Sequence, residues 1–458
     1  MRLIALGRKS FWLDEASSVA FSQFAWPKFL HVMRTGEANM GFYYLCLHGW
    51  LHLADGDTQI RLLSVLPGVL SIPVMLVLGT KLFSQRVGIF SALLLTVNAC
   101  AVVYSQEARG YSMVLLFSAL SCLYFLRISE SGRWLDCAAY VLFTVLAFYC
   151  HFFSALVVAA EWCALLVLPA RAVPWRRLIL CAIAILSGMA PGIYVIFASH
   201  GSPVGWVAKP NLLEFYHLGV FLAAEGGKRI GAALFGLCLV LLVYASIQTI
   251  QKAKTTGDPQ TAFRNLFPLF WLIVPIALSL LLSVWKPVFF HRFLIICLFP
   301  FLLLVSAGIN SLSGAKLRRI VSVTVVVLSL ITTILSYTRV REDWRTAVRW
   351  MLDKHGGDDL ILRENPDAGT QLAYYRGQFG APLNDSQVLL VADPPTPQEV
   401  QLWAATHPHL WLIVYPYPQH AARQEQIRAA LQSYVQCESR SFTGISVTYY
   451  STQGCASQ

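Results

Sequence analysis

Charge is scarce in this sequence. Only 13% of its 458 residues are Asp, Glu, Lys or Arg, against about 25% in ordinary soluble domains. That excludes a solvated, disordered chain. Paired cysteine spacings are missing as well: there are eleven cysteines but no CxxC or CxxH. Cys100, Cys122, Cys163, Cys181, Cys238 and Cys297 stand singly inside apolar runs, where Cys packs as a small hydrophobe. A zinc site and a disulfide-knotted scaffold are therefore excluded. The sequence also lacks a Gly-rich nucleotide-binding motif, an internal repeat and any low-complexity tract. What it has is apolar surface: 56% hydrophobic residues and a mean hydropathy of +0.58. Its uncharged runs are long enough to cross roughly 30 Å of hydrocarbon as helices, which excludes a membrane β-barrel. The chain reads as mainly α, a polytopic transmembrane helical bundle. Its net charge of +11 reflects basic cytoplasmic loops, and no nucleic-acid partner is expected.

Ten helices are expected, near 61–80, 87–104, 109–127, 134–150, 152–169, 177–198, 229–250, 266–284, 291–311 and 320–336. The run 134–169 is split at His151 because a single helix of that length overshoots a bilayer. Alternate connections differ in basic content. One set holds thirteen: Lys81, Arg86, Arg127, Arg133, Arg171, Arg176, Arg177, Lys252, Lys254, Arg264, Lys316, Arg318 and Arg319. The other holds six: Arg109, Lys209, Lys228, Arg229, Lys286 and Arg292. The positive-inside bias makes the first set cytoplasmic, so residues 1–60, the 105–109 turn, His151, the 199–228 loop, the 285–292 turn and the tail are expected outside.

Three regions follow. Residues 1–60 form an external loop whose runs 17–33 and 41–54, broken by Pro27, Gly36 and Asn39, read as interfacial helices. An external start with no apolar leader between Arg2 and Arg8 leads us to expect a further transmembrane helix upstream. Residues 61–337 form the bundle. Residues 338–458 alternate helical and strand patterns: helix 343–354, strand 359–362, helix 371–376, strand 409–415, helix 421–433 and strand 444–450. This predicts a small extracytoplasmic α/β domain. Its two cysteines, Cys437 and Cys455, are expected to pair in an oxidising compartment.

Polar residues gather at the outer ends of the spans. Asp14 and Glu15 are adjacent carboxylates in Trp12-Leu13-Asp14-Glu15. Such a pair suits a general base, or more simply the N-terminus of a helix. The short turn Gln106-Glu107-Ala108-Arg109-Gly110-Tyr111 offers Glu107 to a metal or acceptor and Arg109 to a phosphate; the plain alternative is a surface ion pair. His151 lies between aromatics, and Lys286, His291 and Arg292 crowd another outer turn. These cations suit a lipid phosphate, or mere snorkelling to headgroups. Glu161, near mid-span, fits neither pattern.

Together these stretches resemble the GT-C glycosyltransferases, and within them family 39: the protein O-mannosyltransferases, the aminoarabinose transferase of lipid A and their bacterial relatives. The resemblance is carried in order by Trp12-Leu13-Asp14-Glu15, Phe42-Tyr43-Tyr44-Leu45-Cys46-Leu47-His48, the 106–111 turn, His151, Arg292-Phe293-Leu294 and Glu342-Asp343-Trp344-Arg345, across most of residues 3–350. Asn39-Met40-Gly41 departs from it, standing where many relatives carry prolines. The resemblance implies transfer of a sugar from a polyprenyl-phosphate donor to a hydroxyl of a glycan, lipid or protein, at the outer face of a bacterial cell membrane. It implies Asp14 as base or acceptor-orienting carboxylate, with Glu15 its partner and Glu107 the second-loop acidic residue. Arg109, Tyr111, His151, Lys286, His291 and Arg292 are candidates for binding donor phosphate or sugar. A divalent metal at Asp14 or Glu107 is a further expectation, and Asp14, Arg109 and Arg292 are expected to converge on one cavity. A transporter of a lipid-linked precursor is the main alternative, and a non-catalytic membrane scaffold or sensor a second. Transporters usually place ionisable residues near the midplane of broken helices, whereas these spans are nearly free of charge.

Overall fold

The computed structural model describes residues 1–35, 37–198, 205–354, 359–383, 387–391, 393–417 and 420–455. The chain divides into two compact units. One holds Met1–Ile4, Phe24–Leu53 and Ile60–Thr338; the other holds Ala5–Gln23, Ala54–Gln59 and Arg339–Gln458. The first 60 residues are thus shared between the units. They contain three short helices where two were expected: α1 (Leu13–Ser22), α2 (Trp26–Thr35) and α3 (Gly41–Trp50). The extra break comes just before Pro27, which takes the second position of α2, where its missing N–H does no harm.

The larger unit is the helical bundle. It contains α4 (Asp57–Leu82, apart from its first three residues), α5 (Gln85–Val97), α6 (Ala99–Ser105), α7 (Tyr111–Ser131), α8 (Trp134–Cys150), α9 (Ala155–Ala164) and α10 (Trp175–Ala198). It continues with α11 (Leu212–Ala224), α12 (Lys228–Thr255), α13 (Pro259–Ser283), α14 (Leu298–Ser311) and α15 (Ala315–Tyr337). Seven helices among the described residues are long and apolar enough to span a membrane, or eight if the bent pair α5–α6 counts as one. This is a multi-pass membrane protein; ten spans were expected, and three further apolar helices, Trp134–Cys150, Phe152–Val167 and Leu212–Ala224, are shorter than that length. At 17 residues, α8 reaches only about 26 Å at 1.5 Å per residue. The stretch Phe152–Val167 is a chain of 3₁₀ and α turns around α9.

Asn98 explains the 57° bend between α5 and α6. Its extended backbone ends α5, and its Oδ1 caps α6 by accepting from the Ala101 N–H at 2.9 Å. Its Nδ2 donates to the carbonyls of Leu222 (2.9 Å) and Ala223 (3.0 Å), fastening the bend to the end of α11. That helix was not expected, since the whole 199–228 stretch read as loop; residues 199–204 of that stretch lie outside the described residues. The α4–α5 crossing is tight because glycines meet there: a Cβ on Gly79 would stand 2.7 Å from Gly88 Cα.

The smaller unit contains α1, and then α16 (Trp344–Lys354), β1 (Leu360–Arg363), α17 (Ala368–Gln378), β2 (Val388–Leu390), α18 (Pro397–Thr406), β3 (His409–Val414), α19 (Ala421–Ala430), β4 (Val435–Phe442) and β5 (Ile445–Ser451). The sheet order is β2-β1-β3-β5-β4. Strands β1, β2 and β3 are parallel; β5 is antiparallel to both β3 and β4. The six expected elements are present, within a few residues at their ends. Three more were missed: β2 has only three residues, α18 was read as loop, and β4 is a polar edge strand. Leu360, Leu362, Leu410, Leu412, Val414 and Ile427 form the core beneath the sheet. Cys437 and Cys455 are disulfide-bonded, with Cα atoms 5.2 Å apart, as their pairing in the sequence suggested.

Candidate functional site

In the bundle, the turn between α6 and α7 is held from both sides. The Gln106 amide donates to the carbonyls of Arg2 (3.0 Å) and Ile4 (2.8 Å). Buried Arg2 donates to Ser105 Oγ (3.2 Å) and the Leu95 carbonyl (3.1 Å). Glu107 is buried, and Arg109 is half-buried with its Nη1 donating to the Tyr44 hydroxyl at 3.0 Å. Ser64 Oγ stands 3.2 Å from the Arg109 carbonyl and 3.1 Å from the Tyr43 hydroxyl. The Tyr43-Tyr44 pair of α3 thus fixes a cation in the turn. Gly110 allows this closeness: a Cβ there would lie 2.9 Å from the Cys150 carbonyl and 3.3 Å from Tyr43 Cβ.

His151 sits where α8 ends, 2% exposed. Its Nδ1 accepts from the Phe153 N–H at 3.3 Å, which leaves the proton on Nε2. Nε2 is buried and has no hydrogen-bond partner among the described residues. Burial, and secondarily the Arg109 charge, lowers the imidazole pKa to about 3. Tyr111 (6.0 Å), Phe153 (5.7 Å) and Phe293 (5.4 Å) surround the ring. From Tyr111 the aromatic chain continues through Tyr104 and Phe221 to His291, and Arg292 lies over Phe290 at 5.7 Å. The bundle therefore gathers Arg109, Tyr111, His151, His291 and Arg292 around one aromatic network. Lys286 is exposed, and among the described residues no side-chain contact joins it to this group.

Asp14 and Glu15 belong to the other unit, in the first turn of α1; Asp14 is half-buried and Glu15 buried. Carboxylates there are favoured by the helix dipole. The segment leading to them is clamped by groups that the sequence only partly signalled. Arg345 donates to the carbonyls of Gly7 (3.0 Å) and Lys9 (3.3 Å), and its backbone N–H to Ser10 Oγ (3.1 Å). Ser10 in turn bonds Asp343 at 3.1 Å. The centre of the clamp is buried Asp57, which pairs with Arg345 and accepts from Tyr374 (2.8 Å) and Tyr375 (2.6 Å). The Glu342-Asp343-Trp344-Arg345 motif pointed to one half of this arrangement. Asp57 and the two tyrosines were missed, because nothing in spacing links residues about 300 positions apart.

Glu161 has a structural place in the bundle. Its oxygens accept from Ser121 (2.8 Å) and Tyr140 (2.9 Å), and Thr144 lies 2.8 Å from Ser121. The carboxylate ties α7, α8 and α9 together. Among the described residues no three His, Cys, Asp or Glu side chains group as a metal set.

In fold type, mostly helical with a small C-terminal sheet region, the chain is of the GT-C kind. Along its whole length the chain is similar in fold to ArnT. The apo structure of ArnT from Cupriavidus metallidurans is 13% identical, with a TM-score of 0.63 over 100% of this chain and 97% of that one. The structure of ArnT from the same organism bound to undecaprenyl phosphate is 15% identical, with a TM-score of 0.62 over 98% and 95%. The apo oligosaccharyltransferase of Archaeoglobus fulgidus is 10% identical, with a TM-score of 0.52 over 97% and 71%. Residues 40–196 match the family model described as dolichyl-phosphate-mannose-protein mannosyltransferase. No curated protein matches the chain by sequence.

Proposed function

We propose that this protein transfers a sugar from a polyprenyl-phosphate donor to a hydroxyl acceptor at the outer face of a bacterial cell membrane. The observation that carries the reading is the polar cluster around Arg109 and His151. Arg109, Tyr111 and His151 lie within the 40–196 stretch that matches the mannosyltransferase family model, with Arg109 tied to Tyr44 and His151 buried and neutral beside it. One of the related folds is a structure with undecaprenyl phosphate bound, which supports the donor class.

In the proposed step the acceptor hydroxyl forms a bond to the anomeric carbon of the donor sugar. The bond from that carbon to the phosphate oxygen breaks, and the polyprenyl phosphate leaves with the electron pair. Arg109, Tyr44-oriented, stabilises the negative charge that develops on the phosphate. The neutral His151 imidazole offers its Nε2–H to a phosphate or sugar oxygen, while Tyr111, His291 and Arg292 are assigned to donor binding. Lys286 is assigned to headgroup attraction at the mouth of the bundle. Asp14 takes the acceptor proton, with Glu15 its supporting carboxylate. Glu107 is assigned to orienting the substrate.

The test is transfer itself. Purified protein in liposomes receives polyprenyl-phosphate sugars carrying a radiolabel, together with envelope extract as acceptor. Label should move to a non-lipid or new lipid product with release of polyprenyl phosphate. Unchanged donor across hexose and pentose forms, coupled with movement of intact donor between leaflets, would favour the transporter alternative.

A further inference from the structure

The smaller unit contains an open groove of about 810 Å³ between α1 and α17. It has the size of small-molecule sites, roughly 300–1,000 Å³. On one side, Ala16 and Ala20 share a face of α1, and its C-cap Gln23 follows three residues on. On the other, Thr370 and Tyr374 share a face of α17, and Arg363 from the end of β1 completes the wall.

Arg363 is the chemically distinctive member. Its Nη1 donates to the Pro366 carbonyl, which holds the guanidinium in place. Its Nε is buried and has no hydrogen-bond partner among the described residues. Gly369 makes the position possible, since a Cβ there would lie 2.8 Å from Nη1 and 3.0 Å from the guanidinium carbon. A guanidinium laid on a glycine backbone with an unsatisfied donor is suited to a carboxylate or phosphate oxygen. Around it are amide and hydroxyl groups, three alanines (Ala16, Ala20 and Ala373) and one tyrosine ring. The ring is fixed by Phe11 at 4.9 Å and by its hydroxyl bond to Asp57. Mixed polar and small apolar walls with an aromatic body match a pyranose, which shows both hydroxyls and C–H faces.

We propose that this groove binds an acidic carbohydrate, with Arg363 pairing with the anionic group on the sugar. That the bound sugar serves as acceptor rests on the transferase reading above; that it binds does not. The anion is the shared chemistry of a uronic acid and a sugar phosphate, and separate probes distinguish them.

The test uses the full chain in nanodiscs, without any donor. Trigalacturonate, maltotriose carrying a 6-phosphate, and neutral maltotriose are titrated calorimetrically. At least one charged probe should bind about tenfold or more tighter than maltotriose, a margin set by a hydrogen bond to a charged group. Arg363→Ala should remove that difference, and Ala373→Trp, which fills the groove, should abolish binding of every probe. Thermal unfolding of both variants checks that they remain folded, and Arg363→Lys should restore part of the charge preference. Equal binding of charged and neutral probes, or an unchanged preference in Arg363→Ala, overturns the proposal. Transfer assays on the same preparations are read separately, so a failure of the enzyme reading leaves the binding result standing, and the reverse.

Discussion

Tyr375 and Asp57 share a 2.6 Å hydrogen bond, and the same tyrosine hydroxyl accepts from the Phe11 backbone at 2.6 Å. The hydroxyl thus relays between a buried carboxylate and the backbone three residues before Asp14. Burial, and then the Asp57 charge, pushes the phenol pKa well up, so Tyr375 stays a donor across the working range. Tyr375→Phe leaves the Phe11 N–H and one Asp57 oxygen short of a partner. A buried polar group left unsatisfied costs about 1–3 kcal/mol. The expected result is a lowered melting temperature of the smaller unit. Transfer should lose kcat with KM for the donor little changed, because the proposed base is displaced rather than donor binding. Loss of stability with undiminished kcat would show that the clamp does not position Asp14.

His151 predicts a pH dependence of stability. Its pKa falls from 6.5 in the open chain to about 3 when folded, mainly through burial. Between those values the unfolded state binds more protons than the folded one, so stability is complete above about pH 6.5 and is lost as pH falls toward 3. The slope for one group is about 1.4 kcal/mol per pH unit. Melting in detergent between pH 7 and pH 4 should show the decline, and His151→Gln should flatten it. An identical acid profile in the variant contradicts the assignment.

Glu161 should matter for folding and not for chemistry. Replacing it with Ala strands the Tyr140 hydroxyl inside the bundle and leaves Ser121 with Thr144 alone. Hydrogen bonds within membranes average about 0.6 kcal/mol, with stranded partners adding to that, so a drop of a few degrees in melting temperature is expected. Turnover per folded molecule should be unchanged. A selective loss of turnover would instead revive a transport role for a mid-bundle carboxylate.

The disulfide gives a compartment test. Cys437 and Cys455 close a loop across an 18-residue separation, a length whose closure is worth about 3 kcal/mol in the chain-entropy treatment. Cys437→Ser should weaken the anchoring of β4 by that order, and the bond should form only when the tail faces an oxidising space. Impermeant thiol labelling of Gln401→Cys and Lys28→Cys in intact cells reads each segment's exposure; protection of either contradicts the outward orientation drawn from the basic-residue bias.

Hydropathy made most of the bundle legible, because uncharged runs have few other uses. It failed where a helix was short or bent. The bend at Asn98 depends on carbonyls 124 and 125 residues away, and no local pattern carries that. Two missed elements did have local signals. Thr396 and Glu399 form a capping box with Pro397 at the first position of α18, and Asn211 caps α11 ahead of a strongly apolar run. Both signals lie in stretches whose wider composition reads as loop. In the bundle cluster, Arg109, Tyr111 and His151 stood out as polar or aromatic residues at span ends. Their partner Tyr44 was visible only within a motif. The clamp at Asp57 was illegible in the same way as the Asn98 tie, since its meaning lies in Arg345, Tyr374 and Tyr375, far along the chain.

The decisive prediction concerns Asp14. An acceptor hydroxyl is a weak nucleophile at neutral pH, because its proton must leave as the new bond forms. A positioned carboxylate that takes the proton contributes about 100- to 10,000-fold in rate. Asp14 stands in the first turn of α1, half-buried, after a segment fixed by Arg345, Ser10 and Tyr375. That placement limits side-chain wandering without removing access. Asp14→Asn keeps the shape and removes the basic group, so it should lower kcat by two orders of magnitude or more while preserving expression, melting temperature and donor KM. Arg109→Gln provides the contrast: by loosening the grip on phosphate it should also raise donor KM, and it should leave the acceptor's pH dependence in place. A nucleophile that is already ionised, such as a thiolate acceptor analogue, needs no base and should narrow the gap between wild type and Asp14→Asn. Near-wild-type turnover in Asp14→Asn with a hydroxyl acceptor would remove Asp14 from the chemistry, whatever the standing of the transferase itself.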